Sequence, residues 1–210
     1  MTIKKKINKD IQIANKTIIT EIENLQLLQQ QFNNKKFSAD FLKVLNEIEN
    51  CKGRVLFSGI GKSGIICKKA STIFSSIGVA SFFVHPVEAI HGDLGRICKD
   101  DILIAVSCSG NTEELKTVVN FCNKNNIKTI AVVCKTNSWL EEKCQNCIVI
   151  NMQNEAIKNF PIPTTSSILT LAVFDAMTAC LVENKNLTYK KYGELHCGGK
   201  IGQAMKEKAK

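Results

Sequence analysis

Proline, aromatic residues and histidine are all scarce in this sequence, and each shortage removes a class of explanation. Three prolines cannot make a Pro-rich linker, and no low-complexity segment or internal repeat is present. One tryptophan, two tyrosines and ten phenylalanines give 6% aromatic content, which is thin for a protein that stacks nucleic-acid bases on aromatic rings. No apolar run reaches the roughly 18 residues of a membrane span, and no apolar segment follows the basic start Met1-Thr2-Ile3-Lys4-Lys5-Lys6 as it would in a secretory signal. A cytoplasmic protein with no membrane partner is expected.

What the sequence does have is lysine and cysteine. The formal charge of +9 is scattered and gathers only at the two ends, so it reads as solvated charge whose field gathers anionic metabolites, with no nucleic-acid partner. Ten cysteines in 210 residues would suit a disulfide scaffold only in a small secreted chain poor in core. Reduced thiols are expected here. Cys144-Gln145-Asn146-Cys147 has the spacing of half a zinc site, but no second pair follows at the right distance and Cys147 opens a strand-like run, so no metal is expected.

The 44% hydrophobic content is that of one globular domain. Residues 11–28 carry apolar positions at spacing closer to a helix than to a strand, and a second apolar stripe, Phe41, Leu42, Val44, Leu45 and Ile48, follows the capping candidate Ser38. Residues 1–50 are therefore read as helices packing on a domain that occupies 51–210, the whole being one structural unit. From Arg54 onward, short runs alternate with helical patterns: Val55-Leu56-Phe57, Ser81 to Val84, Ile102 to Val106, Thr129 to Val133 and Ile148 to Ile150. Near-continuous apolar strands are buried on both faces, so the pattern predicts a parallel five-stranded sheet in a three-layer α/β/α sandwich. Ligands of such folds sit at the carboxyl ends of the strands. An irregular stretch, Asn151 to Pro163, then precedes a long apolar helix from Thr164 to Val182, and the Gly-rich tail Gly193 to Lys200 is read as irregular.

Two loops at strand-to-helix junctions carry polar chemistry. Gly59-Ile60-Gly61-Lys62-Ser63-Gly64 fits G-x-G-x-x-G, but the second strand ends in Val84-His85-Pro86 without the acidic residue a dinucleotide ribose needs. Walker A geometry fails as well, because Leu56 stands where its first glycine belongs. No nucleotide cofactor is expected, and the loop is a tight turn presenting Lys62 and Ser63 at a helix start. The second loop, Ser107-Cys108-Ser109-Gly110-Asn111-Thr112-Glu113-Glu114, collects three hydroxyls around one glycine, more than a helix cap requires. Together the loops point to a small phosphorylated ligand.

The pattern Ser107-x-Ser109-Gly110-x-Thr112-x-Glu114 resembles the phosphate-binding signature of the sugar isomerase (SIS) family. The Gly59 loop, the run Phe82-Phe83-Val84-His85-Pro86-x-Glu88-Ala89-x-His91-Gly92-Asp93-Leu94-Gly95, Pro163-Thr164-Thr165-Ser166-Ser167 and His196-x-Gly198-Gly199 are similar to its arabinose-5-phosphate isomerases. The resemblance implies a flavodoxin-like SIS fold, a homotetramer with sites at subunit contacts, and interconversion of ribulose 5-phosphate with arabinose 5-phosphate for Kdo and lipopolysaccharide synthesis. It places the active-site polar set on Lys62, His91, Glu114, Glu155 and His196 and phosphate binding on Ser107, Ser109 and Thr112; Gly61, Ser63, Thr164 and Ser166 are read as further substrate contacts. An isomerase that works through an enediol needs such acid and base groups, and Glu155 and His196 are assigned the proton transfers. His91 or Lys62 would open the ring or steady oxygen charge, with Glu114 in a positioning role. Departures from the family pattern are Cys197 in place of a proline and the loop Asn159-Phe160-Pro161-Ile162-Pro163. Many relatives carry a CBS pair, and a single-domain form without it is expected. The alternatives are an isomerase of heptose or hexulose phosphates, or a sugar-phosphate sensor; the latter usually has a DNA-binding helix-turn-helix, which residues 1–50 do not convincingly show.

Overall fold

Strands that are apolar on both faces need cover on both, and the computed structural model, which describes residues 3–208, shows how this chain supplies it. The strands are β1 (Val55–Ser58), β2 (Ser81–Phe83), β3 (Ile102–Ser107), β4 (Lys128–Val133) and β5 (Asn146–Val149). They form one parallel sheet in the order β2-β1-β3-β4-β5, the flavodoxin-like arrangement that the family resemblance implied. Alternate residues divide between two cores. Phe57, Ile104, Val106, Ile130 and Val132 face helices α1 (Ile3–Gln31), α2 (Lys35–Glu49), α3 (Gly61–Ser76) and α7 (Thr165–Asn184). Leu56, Leu103, Ala105, Ala131 and Val133 face α4 (Pro86–Ile90), α5 (Glu113–Lys124) and α6 (Trp139–Lys143).

Several local expectations are corrected. Helix α2 begins at Lys35 because the Asn34 side chain accepts from the N–H groups of Lys36 and Phe37, while Ser38 lies within the helix and donates to the Phe32 carbonyl. The apolar positions early in α1 are not its packed face: Ile11 and Ile18 are 64% and 54% exposed, whereas Asn24 and Leu28 are buried. Strand β5 begins at Asn146, ahead of the apolar run that marks it in the sequence. The tail is helical, with α8 (Tyr189–Leu195) and α9 (Gly199–Lys208) separated by three residues, because Gly199 at φ +70° opens a new helix where a loop was expected. Helix α7 holds an 18-residue window long and apolar enough by composition to cross a membrane, contrary to the expectation that no such run exists; here Leu169, Val173, Phe174, Met177 and Leu181 fill the core. Cys144 and Cys147 also sit in packed surroundings, and burial pushes both thiols up to about 12.

At the amino ends of β1 and β3 a charged clamp joins the strands. Arg54 donates from its backbone N–H (2.8 Å) and Nε (3.1 Å) to Asp101 Oδ1, and from Nη2 to Oδ2 (2.7 Å), while the Cys98 N–H donates to Oδ2 (2.8 Å). The guanidinium groups of Arg54 and Arg96 each lie 5.0 Å from the Phe82 ring centroid.

Candidate functional site

The strand order reverses between β1 and β3, whose following helices α3 and α5 pack on opposite faces of the sheet, so a crevice opens at their carboxyl ends. Both polar loops lie there. After β1 the chain turns sharply: Gly61 has φ +57°, and a Cβ at Gly64 would run into the Gly59 carbonyl. The turn leaves the start of α3 without a side-chain cap, with Lys62 exposed beside it and Ser63 half-buried. First-turn N–H groups with no cap are anion donors.

After β3 the hydroxyls converge. Ser107 Oγ lies 2.8 Å from Thr112 Oγ1 and 3.3 Å from Ser109 Oγ. Ser107 Oγ also accepts from the Gly110 N–H at 3.1 Å, and Ser109 Oγ accepts from the Asn111 N–H at 3.2 Å. Gly110 has φ +68° and no room for a Cβ against Ser138. The Asn111 side chain accepts from the Trp139 N–H at 3.0 Å and so ties the loop to α6. Thr112 stands at the N-cap of α5 without making a side-chain cap bond, its hydroxyl being turned to Ser107. The helix's first N–H groups are thereby left for an outside acceptor.

The third wall comes from the segment after β5 and the start of α7. Two amides of α1 hold that segment in place: Gln31 Nε2 donates to the Val149 carbonyl (3.3 Å) and its Oε1 accepts from the Asn151 N–H (3.0 Å), while buried Asn24 accepts from the Gln153 N–H (2.9 Å). The chain then delivers Glu155 to the start of α7. Its Oε2 accepts from the Thr164 N–H (2.8 Å), the Thr164 hydroxyl (3.1 Å) and the Ser166 N–H (3.2 Å). Burial alone would raise this carboxyl, but the bonds from Ser166 and Thr164 outweigh it and hold Glu155 below the usual carboxylate range. The Thr164 hydroxyl makes no cap bond to the helix, and Glu155 caps it from the preceding segment.

Between these walls lies a pocket of about 90 Å³ lined by Ile60, Lys62, Ser63, Cys108, Ser166 and Thr170 among others. The structure thus brings Lys62, Ser63 and Ser166 to one cavity, with Glu155 joined to it through Ser166. Cys108, between Ser107 and Ser109, also lines it. Glu114 is half-buried in the first turn of α5. The histidines are elsewhere. His91 is exposed at the end of α4. His196 ends α8 with Nδ1 3.0 Å from the Tyr192 carbonyl and its ring stacked on Tyr192 at 4.0 Å. Neither lines this pocket. Cys108 and Thr170 escaped the sequence reading; Cys108 stood inside the quoted signature as its variable position, and Thr170 shows only as one helical turn beyond Ser166.

Fold and site together define a ligand-binding α/β sandwich whose switch-point crevice is furnished with hydroxyl, ammonium and helix-start donors for an anion. The chain belongs to the SIS domain family, whose model matches residues 47–179. It is 39% identical over 190 residues to an Escherichia coli protein named arabinose 5-phosphate isomerase KpsF, covering 90% of this chain and 58% of that protein. It is 35% identical over 200 residues to a Haemophilus influenzae protein named probable arabinose 5-phosphate isomerase, covering 95% of this chain and 58% of that one. The chain therefore spans rather more than half the length of these relatives. Among solved structures, the E. coli CFT073 protein c3406 in complex with arabinose 5-phosphate superposes with a TM-score of 0.83 at 32% identity, covering 90% of this chain and 98% of that one.

Proposed function

We propose that this chain carries the isomerase site of an arabinose-5-phosphate isomerase, interconverting D-ribulose 5-phosphate and D-arabinose 5-phosphate through an enediol. One observation carries the reading: the Ser107, Ser109 and Thr112 hydroxyls meet at an uncapped helix start next to a pocket lined by Lys62 and Ser166, the latter bonded to the Glu155 carboxylate. The names of the relatives and the sugar-phosphate complex of a similar structure support the substrate.

In this scheme the phosphate is held by Ser107, Ser109 and Thr112, while Gly61, Ser63, Thr164 and Ser166 line the rest of the substrate site. Glu155 is ionised at neutral pH, with Oε1 free of the bonds that hold Oε2, and takes the proton from the carbon next to the carbonyl. Lys62 steadies the oxygen charge of the enediol, Glu114 positions Lys62 or the sugar hydroxyls, and His91 assists ring opening. His196 completes the proton transfer. Since His196 lies outside the pocket of its own protomer, the active form is proposed as a homotetramer in which His196 of one copy reaches the site of another. The exposed apolar residues of α1 suit such contacts. The setting is proposed as the cytoplasm, with the product passing to Kdo and lipopolysaccharide synthesis.

Purified protein should interconvert the two pentose phosphates in preference to a panel of hexulose and heptose phosphates. His196→Ala should lower kcat by about 10²- to 10⁴-fold with an unchanged melting temperature. Unchanged turnover would remove His196 from the mechanism.

A further inference from the structure

We propose that Cys108 and Cys134 are a peroxide-reactive thiol pair that closes to a reversible disulfide at the edge of the pocket. Ser107 and Val133 are the last register partners of β3 and β4, and the residues that follow them, Cys108 and Cys134, stay joined by the bond from the Cys134 N–H to the Cys108 carbonyl at 3.0 Å. Neighbouring strands run about 4.8 Å apart, inside the Cα separations of roughly 4.4–6.8 Å that disulfides span. Both side chains fall on the same face of the sheet, in line with Val106 and Val132 in one core. Cys108 opens on the pocket while Cys134 is only 8% exposed, so a small oxidant meets Cys108 first.

The chemistry around Cys108 suits that order. The Cys134 thiol acting as donor lowers Cys108 to about 7, helped by the Ser166 hydroxyl and Lys135 and opposed by burial and the Glu155 carboxylate. A substantial thiolate fraction is then present at neutral pH. The same contact, with burial, pushes Cys134 up, so Cys134 remains a thiol. The Cys108 thiolate attacks a hydroperoxide: an S–O bond forms, the O–O bond breaks, and the leaving oxygen is protonated. Cys108 is oxidised to the sulfenic acid as the peroxide is reduced. The Cys134 sulfur then displaces hydroxide from Cys108, its proton leaving with that hydroxide as water, and the S–S bond forms. Because Cys108 lies between Ser107 and Ser109, this bond draws on the hydroxyl cluster, a consequence that rests on the phosphate reading of that loop.

The test treats the reduced full chain with a small excess of hydrogen peroxide, blocks remaining thiols and maps the digest. The expected result is a linked peptide pair joining Cys108 to Cys134, lost on treatment with dithiothreitol. Cys134→Ser should leave a Cys108 sulfenic acid trapped by dimedone, and Cys108→Ser should give no link. Absence of the link in the unaltered protein, or oxidation at exposed Cys98 or Cys197 with Cys108 left reduced, overturns the proposal. Inorganic phosphate should bind the oxidised form about tenfold more weakly, the loss of roughly one good hydrogen bond to an anion. Failure of the reduced protein to bind phosphate would instead strike the phosphate-site reading, and the peptide map would still decide the thiol chemistry.

Discussion

Asp101 and Glu155 are both carboxylates drawn out of solvent, at opposite ends of the same sheet, and their hydrogen bonds differ in kind. Asp101 sits at the amino ends of the strands with both oxygens occupied: Oδ1 by the Arg54 backbone and Nε, Oδ2 by Arg54 Nη2 and the Cys98 N–H. Its charge is matched by a guanidinium. Glu155 sits at the carboxyl ends beside the pocket, with three donors on Oε2, and those donors are neutral. Among the described residues no hydrogen bond is made to Oε1, which remains for a ligand. A saturated, charge-matched carboxylate does structural work, while one held by a single oxygen is rigid and still has an acceptor to offer.

The sharpest way to test this contrast is to remove each charge in turn. Glu155→Gln keeps an oxygen for the Thr164 and Ser166 donors but removes the proposed base, so kcat should fall by about 10²- to 10⁴-fold while the melting temperature moves little. Turnover close to that of the unaltered protein would reduce Glu155 to a helix cap. Asp101→Asn should do the reverse. It leaves the Arg54 guanidinium facing an amide and an N–H that must now find an oxygen, which should cost about 2 kcal/mol of stability, read by urea denaturation. Turnover per folded molecule should be unchanged, and a large loss of kcat without a loss of stability would collapse the distinction between the two ends.

The same contrast explains what the sequence could reveal. The sheet was legible because burial on both faces leaves almost no polar residue in β1 or β3, and that pattern is local. The hydroxyl loop was legible because its donors are nearly consecutive in the chain. The capping of α7 by Glu155 was not, since it joins residues 9 and 11 positions apart through a loop without periodicity. The Arg54 and Asp101 clamp spans 47 positions and left no trace that short-range patterns could catch. Early α1 misled for a different reason: its apolar residues follow a nearly helical period, yet they face outward, and periodicity alone does not say which surface a stripe will cover. His196 could be named from a motif, but its place relative to the pocket depends on tertiary and quaternary geometry.

The smallest expected effect concerns pH and applies to both carboxylates at once. For Asp101, burial alone would raise the carboxyl, and the Arg54 and Cys98 donors more than reverse that, so it too lies below its usual range. A folded-state value beneath the unfolded one means that the stabilisation is fully present above the ordinary carboxylate values of about 4 and is lost as pH falls through the lower folded values. Denaturation curves taken from neutral pH downward should therefore be flat at first and decline only in the acid range. Asp101→Asn and Glu155→Gln should each flatten part of that decline, because a side chain that cannot ionise contributes no linkage. The activity profile separates the two ends again. Its acid limb should lie at or below the ordinary glutamate value, where Glu155 gains its proton, and should be unmoved by Asp101→Asn. An acid limb well above that value would show that some other group, and not the carboxylate capping α7, must be deprotonated for turnover.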